Sequence, residues 1–271
     1  MSDNNQKKTV LITGATKGLG LAIALQFARE GYQPIITYAW GSVPEEEVLD
    51  EFKKKHLTTP LLVQANVVYP EDTENLLQRI KDQFGKVDVF VSGVSFSNVI
   101  RGLEDYSEKN LLKSIEYSSW PMIDYTRQIK KVLGIYPKYV LGLSSRGPDN
   151  FQTNYDYAAV TKALMETFVK YLNYHFFDQG IIFNIVRTRA FTTENVLSTF
   201  GKDWGDFIQK YDAPNTQVSM EEVAKVTYIL CSGLMDGVRG QTIMVDKGYA
   251  FADTLQRLYV DRHTLGLNGT Q

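Results

Sequence analysis

The chain has 271 residues, 44% of them hydrophobic, and 29 basic against 31 acidic side chains leave a formal charge of −2. That balance excludes a polybasic surface for nucleic acid or for an anionic membrane, since both need clustered Lys and Arg. The single cysteine, Cys231, excludes an internal disulfide framework and a multi-cysteine zinc site. No run of about 18 apolar residues is present, so no transmembrane helix is expected. The polar stretch Met1 to Lys8 lacks the apolar centre of a signal peptide. A soluble, cytoplasmic protein of one large domain, residues 1–271, is the expectation. In that setting the Asn268-Gly269-Thr270 sequon is a chance match in a tail.

In chain order, short β-branched runs alternate with helical periods. Thr9 to Ile12 reads as a first strand, Gly14 to Gly20 as a glycine-rich turn, and Leu21 to Glu30 as a helix ending at Gly31. Pro34 to Tyr38 is a second strand and Glu45 to Lys55 a polar-faced helix. Leu61 to Ala65 is a third strand, followed by a helix near Glu71 to Phe84, and Val87 to Val91 is a fourth. One long helix is expected near Glu108 to Val132. Then come a fifth strand at Tyr139 to Leu143, a helix from about Tyr155 to Phe177, and a sixth strand at Ile181 to Val186. A last helix near Met220 to Leu230 leads to a seventh strand, Gln241 to Val245. Such βα units bury both sheet faces only with helices on each side, which gives a doubly wound, parallel, seven-stranded α/β sheet. Residues 191–217, above all Phe200 to Gln217, read as a lid with short helical pieces, and 254–271 as a C-terminal extension that folds over a neighbour or stays loose.

The turn Thr13-Gly14-Ala15-Thr16-Lys17-Gly18-Leu19-Gly20 leaves a strand and opens a helix. Gly14 permits a sharp exit from the sheet, Gly18 a close approach of backbone to a pyrophosphate, and Gly20 tight helix–strand packing. The helix N-terminus then offers free N–H donors to phosphates. The pattern marks a Rossmann-type dinucleotide site. The second strand ends Thr37-Tyr38-Ala39-Trp40-Gly41-Ser42, without the carboxylate that usually holds the ribose hydroxyls of NAD. Lys17 inside the turn can meet a 2′-phosphate instead, so NADP(H) is the expected cofactor. Asn66 and Val67 after the third strand are placed near the adenine.

Leu143-Ser144-Ser145-Arg146 ends a strand at the ligand edge of the sheet, and Tyr155, Tyr157 and Lys162 follow. A lysine near a tyrosine lowers the phenol's pKa by its charge and can bind the nicotinamide ribose. The phenol then donates to an oxygen that becomes negative as hydride arrives. At about 100° per helical residue, Tyr155 lies about 20° from the meridian of Lys162 and Tyr157 about 140° off. Tyr155 is therefore the expected partner of Lys162. Tyr157 is a packing or substrate-lining residue.

These pieces resemble a short-chain dehydrogenase/reductase over about residues 7 to 252, supported also by Arg239-Gly240-Gln241-Thr242-Ile243-Met244-Val245-Asp246. Most members of that family have three residues between tyrosine and lysine, whereas six separate Tyr155 from Lys162. That spacing, with Asn154-Tyr155, resembles the NADPH-dependent enoyl-acyl-carrier-protein reductase branch. The resemblance implies that Tyr155 and Lys162, with Ser144 and Ser145, form the catalytic set. It implies cofactor contacts at Gly14, Thr16, Lys17, Gly18, Leu19, Gly20, Asn66, Val67, Gly93, Lys162 and Thr193. The implied reaction is hydride addition to a small-molecule or carrier-bound enoyl thioester, in a specialised acyl or polyketide pathway. Reduction of a ketone (a 3-oxoacyl group) and a cofactor-binding protein with little turnover are the alternatives. A homodimer or homotetramer is implied as well.

The chain departs from the family in three places. Ser92-Gly93-Val94-Ser95 replaces an Asn-Asn-Ala-Gly stretch, and Lys113 to Ser119 holds no asparagine, which fits enoyl reductases better than ketoreductases. Arg187 and Arg189 stand where small residues are usual. With Phe191 they are candidate substrate contacts, through bidentate pairing to an anion. Alternatively they point to solvent, pair with Asp203 and Asp206, or fill the cofactor site. His56, His175 and His263 show no metal-ligand spacing, so no metal is expected. Cys231 reads as core. Phe168, Tyr171, Leu172, Tyr174, Phe176 and Phe177 form a two-sided helical cluster, one face for the sheet and one for a subunit contact.

Overall fold

Alternation along the strands sets the two cores. Val10 and Ile12 turn to one face of the sheet and Leu11 to the other, and all three are fully buried. The computed structural model describes residues 7–40, 43–189, 191, 196–197 and 201–267. Its strands are β1 (Thr9–Thr13), β2 (Gln33–Tyr38), β3 (Leu61–Gln64), β4 (Val89–Ser92), β5 (Tyr139–Ser145), β6 (Ile182–Thr188) and β7 (Thr242–Val245). They form one sheet in the order β3-β2-β1-β4-β5-β6-β7, every pair parallel. The expected doubly wound α/β sheet is the fold found.

The helices are α1 (Gly18–Arg29), α2 (Glu45–Lys54), α3 (Pro70–Phe84), α4 (Glu108–Ser118), α5 (Trp120–Leu133), α6 (Asp156–His175), α7 (Trp204–Tyr211), α8 (Met220–Cys231) and α9 (Thr254–Val260). On one face Ile23, Phe27, Phe52, Val223 and Leu230 cover Val10, Ile12, Ile36 and Val91. On the other, Leu76, Ile80, Tyr125, Ile129, Met165 and Val169 cover Leu11, Phe90, Val140 and Phe183. Cys231 is fully buried in the first of these cores. No helix among the described residues is long and apolar enough to cross a membrane.

Two elements differ from the sequence expectation, and a third follows it. The single long helix of 108–132 is two helices that meet at Ser119. Pro121 lacks an N–H and its ring excludes the carbonyl four residues back, so the ladder cannot run through. The tail beyond 254 is not loose over its described part. Asp253 caps α9 by accepting from the Gln256 amide at 2.9 Å, and Arg257 donates to the Tyr211 carbonyl, which folds the tail onto its own α7. The aromatic cluster splits as its periodicity implies. Phe168, Leu172 and Phe176 pack on the core, whereas Tyr171, Tyr174 and Phe177 are exposed.

Gly20 seats α1 on the end of β1. A Cβ built there would lie 2.8 Å from the Gly14 carbonyl oxygen and 2.8 Å from Ala15 Cα, both backbone atoms. Gly20→Ala is expected to lower stability by about 1–3 kcal/mol through overpacking. Gly237→Ala, where a Cβ meets nothing within 4 Å, is expected to change it by less than about 0.5 kcal/mol. Urea unfolding of the two variants measures the contrast.

Candidate active site

The β-strand order reverses its direction of growth at β1, which pairs with β2 on one side and β4 on the other. The crevice at such a point, outside the carboxyl ends of the strands, is where ligands bind in sheets of this kind. A cavity of about 350 Å³ opens there, lined among others by Gly14, Thr16, Lys17, Asn66, Val67 and Gly93. Trp40 forms part of its wall and meets Tyr117 edge-on at 5.3 Å.

Several features of that wall fit a dinucleotide. Gly14 and Gly18 adopt φ values of +70° and +60°, which a side chain would strain. A Cβ at Gly18 would meet nothing within 4 Å, so the backbone there is open to a close ligand. No acid lies in the first turn of α1 and no side chain caps it, leaving its N–H donors for an anion. The Thr37 hydroxyl, buried on the same wall, finds no hydrogen-bond partner. Leu19 instead packs against the hydrophobic core. Gly93 is needed for contact between strand ends: its amide donates to Thr13 Oγ1 at 3.1 Å, and a Cβ would lie 2.5 Å from the Thr13 carbonyl oxygen. At the end of β2 the nearby carboxylate of Glu45 is engaged by the Tyr38 hydroxyl. Thr193 lies outside the described residues.

The second half of the site stands at the end of β5. Arg146 turns the chain by accepting from the amides of Asp149 and Asn150, and Asn154 adopts φ +63° just before Tyr155. Asparagine tolerates this left-handed conformation. Tyr155 therefore lies in the turn before α6 rather than inside the helix. Its ring rests on Gly147, where a Cβ would approach the ring carbon Cδ1 to 3.0 Å. Its hydroxyl is hydrogen-bonded to Ser145, whose Oγ also accepts from the Gly147 amide at 3.3 Å. Burial pushes the Tyr155 phenol up and the Ser145 hydroxyl pulls it down. The charge of Lys162 is not among the influences on that phenol, contrary to the sequence expectation. The phenol is thus a protonated donor at neutral pH.

Lys162 is buried in α6, and burial pushes its ammonium down to about 8 against an upward pull from Glu166 one turn on. The Ser119 hydroxyl, at the junction of α4 and α5, donates to the Thr161 carbonyl at 2.8 Å and so ties that junction to the helix beside Lys162. Sequence reasoning missed Ser119. The Pro121 break was its only local signal.

Several expected site residues have other duties. Ser144 donates to Glu166 Oε1 at 2.5 Å and faces away from Tyr155, so Ser145 alone of the pair meets the phenol. Tyr157 is not substrate-lining: it is 2% exposed, and its hydroxyl accepts from the Ser107 amide and donates to the Ser107 carbonyl at 3.0 Å. Arg187 is neither a substrate contact nor a plug in the cofactor groove. It forks onto both oxygens of Glu166, with Nε donating to Oε1 at 3.0 Å, and also pairs with Asp149. Burial works against the Arg187 charge, and the two carboxylates outweigh it, holding the guanidinium above its ordinary value. Arg189 pairs with Asp212 at 2.8 Å, not with Asp203 or Asp206, and lies 3.6 Å above the Tyr249 ring. Those contacts were invisible locally, because each partner is distant in sequence. A second cavity of about 540 Å³ is walled by Arg146, Phe151, Arg189, Phe191, Trp204 and Tyr249 among others. Among the described residues there is no cluster that could hold a metal.

Since Lys162 is charged and desolvated in the folded chain below about pH 8, but solvated when unfolded, the unfolded state binds more protons between about pH 8 and 10.5. Native stability drawn from this residue therefore rises across that window. Lys162→Met is expected to stabilise the fold at pH 7 by roughly 3 kcal/mol, with the gain vanishing by about pH 10.5. Unfolding curves of both proteins at several pH values check the sign.

A family model described as Enoyl-(Acyl carrier protein) reductase matches residues 14–250. The chain is 25% identical over 248 residues to the enoyl-[acyl-carrier-protein] reductase [NADH] FabI of Aquifex aeolicus, covering 89% of this chain and 91% of that one. It is 35% identical to the 3-oxoacyl-[acyl-carrier-protein] reductase FabG of Staphylococcus epidermidis, but over only 100 residues, 36% of this chain and 41% of that one. Among solved structures, the Bacillus cereus enoyl-acyl carrier protein reductase with NADP+ and an indole naphthyridinone superposes with a TM-score of 0.79 at 26% identity, over 91% of this chain and 98% of that one. With the glycine turn, the sheet order and a match over nearly the whole fold, the chain belongs to the enoyl-(acyl carrier protein) reductase family of the short-chain dehydrogenases/reductases.

Proposed function

We propose that the protein is an NADPH-dependent reductase of enoyl thioesters carried on an acyl carrier. The carrying observation is the Tyr155 phenol, kept protonated by burial and hydrogen-bonded to Ser145 at the end of β5. The reduced cofactor supplies a hydride when bound. Lys17, the α1 N-terminus, Asn66 and Gly93 would hold it, with Lys162 toward the ribose. Tyr155 donates a hydrogen bond to the thioester oxygen, which gains charge as the β-carbon accepts hydride. The resulting enolate then takes a proton from solvent at the α-carbon, which balances the hydride added at the β-carbon. Lys162 adds a buried positive charge to the same end of the site. The apolar wall of Phe191, Trp204 and Tyr249 is suited to an acyl chain.

NADPH is favoured over NADH by Lys17 and by the lack of a free carboxylate among Tyr38, Ala39 and Trp40. Lys17→Ala is expected to weaken NADPH about tenfold or more and to leave NADH nearly unchanged. Steady-state kinetics with both cofactors test this, and a wild-type preference for NADH overturns the assignment. Tyr155→Phe is expected to lose at least about a hundredfold in kcat while keeping cofactor affinity. Tyr157→Phe should instead lower stability with little change in kcat. Oxidation of NADPH with 3-oxoacyl but not enoyl thioesters would favour the ketone reading, and binding without oxidation of either would favour a non-catalytic role. The latter reading draws on Arg187 and Arg189 as bulky cations at the site, of which Arg187 folds onto Glu166. The exposed Tyr171, Tyr174 and Phe177 on α6 and just beyond it are proposed as a homo-oligomer contact, and sedimentation measures it.

A further inference from the structure

Behind Lys162 lies a buried network that the reaction does not consume. Glu166 stands one helical turn beyond Lys162 on α6, and both are at least nine-tenths buried. The Arg187 fork from β6 covers both Glu166 oxygens, and the Ser144 hydroxyl from β5 occupies Oε1 as well. The remaining arm of Arg187 reaches Asp149, in the loop that runs from Ser145 to Tyr155. A lone carboxylate at this depth would be strongly disfavoured, whereas a carboxylate with bidentate and hydroxyl donors is satisfied. Glu166 pulls the Lys162 ammonium upward, and the paired Arg187 guanidinium stands against that same carboxylate.

We propose that Arg187 is a positioning residue whose bond to Glu166 supplies the internal counter-charge that sets the electrostatics of Lys162 and fastens the Tyr155 loop through Asp149. The proposal rests on Lys162 being the lysine of the site, but it concerns the free chain and no particular substrate. The groups facing Lys162 are few. Glu166 comes from α6 itself, Arg187 from β6 stands against Glu166, and Asp149 lies beyond Arg187. From β5 come only the hydroxyls of Ser144 and Ser145, and α4 buries Ser114 and Ser118 while its Lys109, Lys113 and Glu116 line an outer groove.

A charge-compensating pair has a signature that mere packing lacks, because removing opposite members displaces the neighbouring titration in opposite directions. The test is the titration of the Lys162 side chain in the free protein, followed by 13C NMR of lysine-labelled chain and assigned with Lys162→Met. Glu166→Gln leaves Arg187 uncompensated and is expected to move the Lys162 midpoint down by about one unit or more. Arg187→Met moves it up if the chain folds with Glu166 ionised. The double variant Glu166→Gln/Arg187→Met removes both charges at nearly constant shape and should return the midpoint to within about 0.3 unit of wild type. This double variant keeps the proposal falsifiable should either single variant fail to fold. A double variant shifted down by a unit would mean that Glu166 acts on Lys162 without compensation, and an unshifted Glu166→Gln would mean that the pair does not govern Lys162. Either result overturns the proposal. Neither depends on turnover, so loss of the enoyl reductase reading leaves the measurement intact.

Discussion

Pairing of β1 with both β2 and β4 is the constraint from which the rest follows. Because β1 is central, the chain must wind outward in one direction to β3 and then cross back to build β4 through β7. Two windings of opposite sense leave a gap above the carboxyl ends, and no crossover helix closes it. Apart from Tyr155 and Lys162, which α6 and the turn before it carry, the residues discussed at these strand ends continue a strand: the glycine turn from β1, Trp40 from β2, Asn66 from β3, Gly93 from β4, Ser145 from β5 and Arg189 from β6. The close fit of Gly20 on Gly14 and of Gly93 on Thr13 lets these ends converge without side chains between them.

The strands and the glycine turn were legible in the sequence for a simple reason. A buried parallel sheet demands continuous β-branched runs, and Val10-Leu11-Ile12 or Ile182-Phe183-Asn184-Ile185-Val186 can do little else. That Tyr155 and Tyr157 point to different surroundings was legible too, although the reason is partly different. The helical angle argument assumed a helix reaching back to 155, whereas Tyr155 sits in the preceding turn and is aimed by the left-handed Asn154. Tyr157 is withdrawn by a contact with Ser107, fifty positions away, that no local pattern encodes.

The arginines were the least legible. Sequence alone shows two bulky cations where small residues are usual, and it suggests ligand, solvent or obstruction. Their partners come from far along the chain: Glu166 and Asp149 for Arg187, Asp212 and Tyr249 for Arg189. Lys162 and Glu166 are four apart on one helix, so their proximity could have been inferred, but not that a guanidinium from β6 would stand against the carboxylate. Similarly, the break at Ser119 followed from Pro121, whereas its hydrogen bond to Thr161 followed only from α4 packing on α6.

The chain carries three tryptophans, and their positions give it its own optics. Trp40 forms the wall beside the glycine turn, Trp204 the wall of the cavity that Arg146 and Arg189 share, and Trp120 borders a groove on the outer side of α4. An indole emits where a dihydronicotinamide absorbs, so light absorbed by Trp40 would pass to a nucleotide seated against it. Trp204 would instead sense the polarity of whatever ligand displaces water from its cavity. With each of the other two replaced by Phe, one intrinsic fluorophore would report on the nucleotide and another on that ligand, without a label on either.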